Sequence, residues 1–268
     1  MIRNILLVLV CSGFASSAGL NPFYKAGIIN GDAVTAADPV AKSTVLLIGK
    51  IARASFTCSG VLIERDIILT AGHCLGAPGW AQLEAHFKLD QKDKKGPVIP
   101  VVKQLRPWVT MPTDRAFDWD DIAVLKLKTP APANYQVANI ITDPSLITNG
   151  MTLIQAGYGR NVVKDSFVGK SGTGILRQKK QIVLESHYGQ KEFLMSIVGG
   201  GTCSGDSGGP AYIEINGQLY LAGVASRMTK NNRVMENGKE QYYCTKDMIY
   251  TFVPTQMAWI KDNILSMK

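Results

Sequence analysis

Ser207 stands in the stretch GTCSGDSGGP, residues 201–210, between Asp206 and Gly208. Four of those ten residues are glycine. Ordering glycine costs conformational entropy, so such a cluster asks for a backbone bent to a purpose. A serine presented on a bend is a hydrolytic nucleophile when three things converge on it: a base, an acid that orients the base, and donors for a developing oxyanion. The chain has three histidines. His73 lies in Thr70-Ala71-Gly72-His73-Cys74, directly behind an apolar run, whereas His86 and His187 lie in segments without such punctuation and read as surface or satisfied core histidines. Asp121 opens Asp121-Ile122-Ala123-Val124-Leu125-Lys126-Leu127. A carboxylate at the mouth of an apolar strand is partly buried and needs a hydrogen-bonded partner, which an imidazole N–H supplies. Asp118 and Asp120 are its competitors for that role.

Gly205-Asp206-Ser207-Gly208-Gly209 also fits the Gly-x-Ser-x-Gly elbow of α/β-hydrolases. That architecture requires an acid and then a histidine after the serine, and no histidine follows Ser207. The order here is His73, Asp121, Ser207. The elements that must hold these residues read as strands. Short apolar segments at 44–48, 56–63, 67–70, 98–102, 122–127, 151–156 and 193–198 alternate with turn residues, the pattern of an all-β sandwich or barrel. Asn216-Gly217 between Ala211-Tyr212-Ile213-Glu214-Ile215 and Gln218-Leu219-Tyr220-Leu221-Ala222 predicts a tight hairpin, because both residues tolerate positive φ. One terminal helix is predicted from Pro254, with Met257, Ile260, Ile264 and Leu265 on a shared face. The Pro- and Asn-rich residues 129–149 read as a connector between two halves.

The chain has 268 residues, 46% hydrophobic and 19% charged, enough for one large all-β unit or two small domains. Its formal charge is +8. Arg3 followed by the apolar run from residue 5 and the small residues Ala15-Ser16-Ser17-Ala18 reads as a secretion signal over 1–18, too short to span a bilayer. Without residues 1–27 the balance is 27 basic against 21 acidic residues, a modest +6. The basic runs Gln91-Lys92-Asp93-Lys94-Lys95 and Arg177-Gln178-Lys179-Lys180 read as solvated turns, so no nucleic-acid partner is expected. Cys11 falls in the signal, leaving Cys58, Cys74, Cys203 and Cys244. An even count in an exported chain predicts two disulfides, with three pairings open. No CxxC pair or clustered His/Cys spacing points to a metal.

Four ordered motifs resemble the trypsin/chymotrypsin-like serine proteases: Ile28-Ile29-Asn30-Gly31, Thr70-Ala71-Gly72-His73-Cys74, Asp121-Ile122-Ala123-Val124-Leu125 and Gly205-Asp206-Ser207-Gly208-Gly209-Pro210. Ala156-Gly157-Tyr158-Gly159, Ile249-Tyr250-Thr251 and Trp259-Ile260 are weaker echoes. The resemblance implies two packed antiparallel six-stranded β-barrels with a C-terminal α-helix, spanning 28–268, the first barrel over about 28–135 and the second with the helix over about 136–268. It implies Ser207 as nucleophile, His73 as base and then acid, Asp121 as its orienting partner, and the N–H groups of Gly205 and Ser207 as oxyanion donors. It pairs Cys58 with Cys74 and Cys203 with Cys244. No cofactor is implied. The implied partners are protein or peptide substrates and protein inhibitors. The expected protein is a monomer, extracellular or periplasmic, without a membrane span.

The resemblance places Gly201, Thr202, Ser226, Met228 and Met248 around the pocket for the side chain preceding the cut. Trypsin-like members carry Asp at the position of Gly201, so an uncharged, shallow pocket is expected here, with cleavage after small or medium apolar residues. Asp247 is the rival, since a carboxylate pointing into the pocket would favour Lys or Arg. Two departures stand out: Ser226-Arg227-Met228 where the family usually has Ser-Trp-Gly, and Asn30 where Gly is usual. They keep open a second reading, a binding protein of the same fold with weak or no catalysis. Residues 19–27 are implied to be a short propeptide. Cutting after Gly27 would free an ammonium on Ile28 to pair with Asp206.

Overall fold

The computed structural model describes residues 28–51, 54–76, 82–108, 119–161, 164–165 and 172–268. The expected signal and propeptide, residues 1–27, lie outside the described residues, as does Asp118.

Thr44–Ile51, Ala54–Glu64, Ile67–Thr70, Ala123–Leu127, Val98–Leu105 and Gln82–His86 pair in that order and close into a barrel. Both faces of its first three strands are buried. Val45, Leu47, Leu62 and Ile68 fill the barrel, while Leu46, Val61, Ile63 and Leu69 face a second cluster shared with Ala156, Tyr158, Tyr212 and Val224. Side chains alternate along a strand, so burial on both faces requires the unbroken apolar runs seen in the sequence.

The second barrel takes the order Arg177–Glu185, Glu192–Ser196, Asp247–Phe252, Gln218–Met228, Pro210–Ile215, Thr152–Gly157, closed by pairing of the last strand with the first. Its interior holds Leu153, Phe193, Met195, Ala211, Ala225 and Tyr250. The expected hairpin is present, with Asn216 at φ 51° and Gly217 at φ 75°. No helix of the described residues is long and apolar enough to cross a membrane.

Three expectations are corrected. Arg177-Gln178-Lys179-Lys180 is not a solvated turn but the start of a barrel strand, and Arg177 is buried with its guanidinium donating to Gly31 O at 3.0 Å. The polar side chains of this strand act as tethers: Lys179 Nζ donates to Asn30 O, and Gln181 Nε2 to Val198 O and Gly200 O. The helix runs over Met257–Leu265 behind a 3₁₀ turn at Val253–Gln256, and Leu265 is 67% exposed while Ile260 and Ile264 are buried. His86 is only weakly satisfied: its Nε2 faces Glu84 Oε2 at 3.5 Å, its ring nitrogens make no closer hydrogen bond among the described residues, and burial lowers its pKa.

One element was not anticipated. Between Met228 and Cys244, the strands Arg233–Glu236 and Lys239–Tyr243 form a hairpin that continues onto Lys164–Asp165 as a separate small sheet.

Candidate active site

His73 sits in the single 3₁₀ turn Gly72–Leu75 that ends the strand Ile67–Thr70. Asp121 lies two residues before the strand Ala123–Leu127, which pairs with Ile67–Thr70. The pairing brings the acid under the imidazole. Asp121 Oδ2 lies 2.7 Å from His73 Nδ1, and Oδ1 accepts the His73 backbone N–H at 2.9 Å. The carboxylate is wholly buried, and Ser226 Oγ donates to Oδ2 at 2.7 Å. Burial alone raises the pKa of such a group. The charge and hydrogen bonds of His73 and the bond from Ser226 outweigh it, so Asp121 is held below the ordinary carboxylate value. Its competitor Asp120 is engaged elsewhere, with Lys191 Nζ at 2.9 Å and Gln256 Nε2 at 2.7 Å.

Ser207 enters from the second barrel, in the turn before Pro210–Ile215. Its carbonyl accepts Ser59 N–H at 2.8 Å and lies 3.6 Å from Cys74 Sγ, the neighbour of His73. Gly208 makes this approach feasible. Its φ is +77°, and a Cβ there would fall 2.0 Å from Thr70 Oγ1 and 2.5 Å from Ser59 O. Gly208 N–H donates to Ala225 O, Gly209 N–H to Asp206 O and Asp206 N–H to Cys203 O. In this turn the N–H groups of Gly205 and Ser207 donate to no acceptor among the described residues.

Ser59 was missed by sequence reasoning. Its hydroxyl donates to Gly205 O at 3.1 Å and accepts Tyr158 N–H at 3.0 Å, while its own N–H holds Ser207 O. One first-barrel residue thus clamps both ends of the Gly205–Asp206–Ser207 segment.

Asp206 is also fully buried. It accepts from Gly159 N–H at 2.7 Å and Cys203 N–H at 2.9 Å, and Ile28 N–H lies close enough to favour its charged form. Burial pushes its carboxyl up to about 7, and these three donors counter that only in part. The glycines of Gly157-Tyr158-Gly159 now have a reason. A Cβ at Gly157 would lie 2.3 Å from Asp206 Oδ1, and one at Gly159 2.4 Å from Oδ2. Ile28 and Ile29 are buried, and Ile29 exchanges both backbone hydrogen bonds with Gly201, at 2.8 and 2.9 Å.

Gly201 is buried beside Ile197 and Gln155. The polar groups next to it are neutral: Thr202 Oγ1 lies 3.0 Å from Gln155 Oε1 and 2.5 Å from Tyr250 OH. Met248 is 4% exposed and stands in register with Met195 and Met228. Asp247 is held by the turn that follows the strand Gln218–Met228, accepting from Thr229 Oγ1, Asn231 Nδ2 and Asn232 Nδ2. Arg227 makes a bidentate ion pair with Glu192, at 2.6 and 2.9 Å.

Both disulfides are present, Cys58–Cys74 and Cys203–Cys244. Donor atoms of Cys58, His73 and Cys74 lie within 4.8 Å of one another, but the two sulfurs are bonded to each other and cannot ligate an ion. Cys203–Cys244 closes a separation of 41 residues, for which loop entropy gives about 4 kcal/mol of stabilisation. Replacing both cysteines by alanine should lower the melting temperature by roughly 10 °C. An unchanged calorimetric melting curve would contradict this.

The family model described as Trypsin matches residues 34–253. The chain is 26% identical over 280 residues to chymotrypsin-C of Mus musculus, covering 98% of each chain. It is 24% identical over 221 residues to chymotrypsin-like elastase family member 1 of Macaca fascicularis, covering 78% of this chain and 79% of that one. It is 31% identical over 180 residues to mast cell protease 2 of Ovis aries, covering 63% and 66%.

Proposed function

The chain belongs to the trypsin family of serine proteases, and on that premise we propose that it is an exported endopeptidase that cuts proteins through an acyl-enzyme on Ser207. The observation that carries this reading is the buried Asp121 carboxylate with one oxygen on the His73 ring and the other on the His73 main chain. Such an acid fixes the imidazole so that Nδ1 carries the proton and Nε2 is free to act as a base. Ser207 Oγ attacks the scissile carbonyl carbon and its proton passes to His73 Nε2. The oxyanion forms at the Gly205 and Ser207 N–H groups. The amine leaves with the proton from His73, and water, deprotonated by the same imidazole, releases the acid and regenerates Ser207.

Export is supported by the two disulfides, which suit an oxidising compartment, together with the signal-like residues 1–18. The neutral surroundings of Gly201 and the engagement of Asp247 by three side-chain donors support cleavage after small or medium apolar residues. The non-catalytic reading rests on the departures from the family pattern at Asn30 and Arg227.

The test is a fluorophosphonate probe on the mature protein, followed by peptide-library profiling. Rapid labelling of Ser207 and a preference for Ala, Val or Leu before the cut are expected. No labelling would favour the binding-protein reading. A strong preference for Arg over Leu would overturn the Gly201 argument while leaving the mechanism standing.

A further inference from the structure

A buried ion pair lies one side chain away from Asp121. Glu192, on the strand Glu192–Ser196, is 1% exposed, and the Arg227 side chain is 11% exposed. The two sit on strands that both flank Asp247–Phe252 in the second barrel. Burying two charges is costly unless their geometry is good and their remaining hydrogen-bonding capacity is used. Here it is used toward the active site. Arg227 Nη1, 2.6 Å from Glu192 Oε1, also donates to Ser226 Oγ at 3.3 Å. A hydroxyl has one proton. If Ser226 Oγ accepts from Arg227, which has no acceptor of its own, that proton is directed to Asp121 Oδ2, 2.7 Å away.

The same pair reaches His73 by a second route. Glu192 Oε1 accepts the Trp119 backbone N–H at 3.3 Å, and the Arg227 guanidinium carbon lies 5.6 Å from the centre of the Trp119 ring. Trp119 is buried and nearly parallel to His73, with 10° between their planes and 6.2 Å between centroids. It also stacks with Trp108, at 5.6 Å between centroids, over which Arg106 lies at 4.0 Å.

We propose that Glu192 and Arg227 are a positioning pair for the His73 imidazole: Arg227 orients the Ser226 hydroxyl onto Asp121, and both residues fix the Trp119 plane beside the ring. Arg227 stands where an aromatic side chain is usual, so this chain holds its base with charge and hydrogen bonds from the strand Gln218–Met228. The inference rests on the proposed role of His73 as base.

The experiment uses the full mature domain with Arg227→Leu and Glu192→Leu together, because removing one charge alone leaves the other buried and unpaired. Apolar replacement of a whole buried pair is often neutral for folding. The expected result is an unchanged far-UV circular dichroism spectrum with kcat lowered roughly 10- to 100-fold, the scale of a small misplacement of a reacting group, and KM within about twofold. In a Ser207→Ala background, which cannot digest itself, the downfield NMR signal of the His73 Nδ1 proton should broaden through faster exchange with water. A folded double variant with wild-type kcat and a wild-type His73 signal would overturn the proposal. Should the double variant not fold, Arg227→Lys decides. An ammonium cannot reproduce the planar fork to Glu192 together with the bond to Ser226, so a partial loss of kcat and a partly broadened signal are expected, and no change in either overturns it. A wild-type protein inert to fluorophosphonate would defeat the protease reading instead; the NMR comparison would still decide whether the pair positions His73.

Discussion

Ser207→Ala is expected to lower kcat/KM on a peptide substrate by at least about 10⁴-fold while leaving the melting temperature within about 2 °C of the parent. The size follows from how such a site works. Nucleophile and base act as one unit, and removing either typically costs nearly as much as removing both, with the oxyanion donors and substrate binding left to give a small residual rate. His73→Ala should therefore fall about as far. The stability half follows from geometry: the contacts of Ser207 are made by its carbonyl, to Ser59 N–H and beside Cys74 Sγ, and alanine keeps that carbonyl. Steady-state kinetics and calorimetry on the purified variants check both halves. Activity within tenfold of the parent in either variant would defeat the mechanism.

The second large effect is expected at Asp206. With Ile28 N in peptide linkage, the buried carboxyl is raised to about 7 from an ordinary value of 3.8. A raised carboxyl pKa stabilises the fold fully below the unfolded value and loses that contribution as pH climbs through the folded value. The uncut chain should therefore become less stable between about pH 4 and pH 7, by up to about 4 kcal/mol relative to a group of ordinary pKa. Cutting between Gly27 and Ile28 would place an ammonium where Ile28 N–H already faces Asp206, and the loss should disappear. Because Asp206 sits between the two proposed oxyanion donors, Gly205 and Ser207, activity should rise with the cut. It should decline again in alkali, as the amine loses its proton above its unpaired value near ~8. The check is melting temperature against pH for the uncut chain, the cut chain and Asp206→Asn. Parallel curves for cut and uncut protein would refute the switch, and so would full activity in a chain that still begins at Gly19.

The sequence exposed the parts of this site whose chemistry restricts residue type locally. A serine among glycines, a histidine behind a strand and an acid at a strand mouth are legible one at a time. Continuous apolar runs disclosed strands buried on both faces. What was hidden depends on distant partners. Ser59 is an ordinary strand residue until Gly205, Tyr158 and Ser207 are brought to it. Glu192 and Trp119 carry no mark until Arg227 is placed beside both. Arg177-Gln178-Lys179-Lys180 was misread because Arg177 is buried on the carbonyl of Gly31 and Lys179 reaches that of Asn30, a use that mimics a solvated run in composition. The extra hairpin did leave a signal, Asn237-Gly238, with φ of 50° and 73°, the same turn chemistry that was recognised at Asn216-Gly217.

The two barrels divide the proposed chemistry unequally: His73 and Asp121 come from the first, Ser207 from the second, and residues 129–149 link them. That link is a device for effective concentration. While it is intact, the halves meet as parts of one molecule at a fixed local molarity, and turnover per molecule is independent of dilution. A single nick there would make the active unit a two-body complex held by the shared apolar cluster and by Ser59. Its specific activity would then fall with dilution below the dissociation constant of the halves, although every catalytic atom remained present.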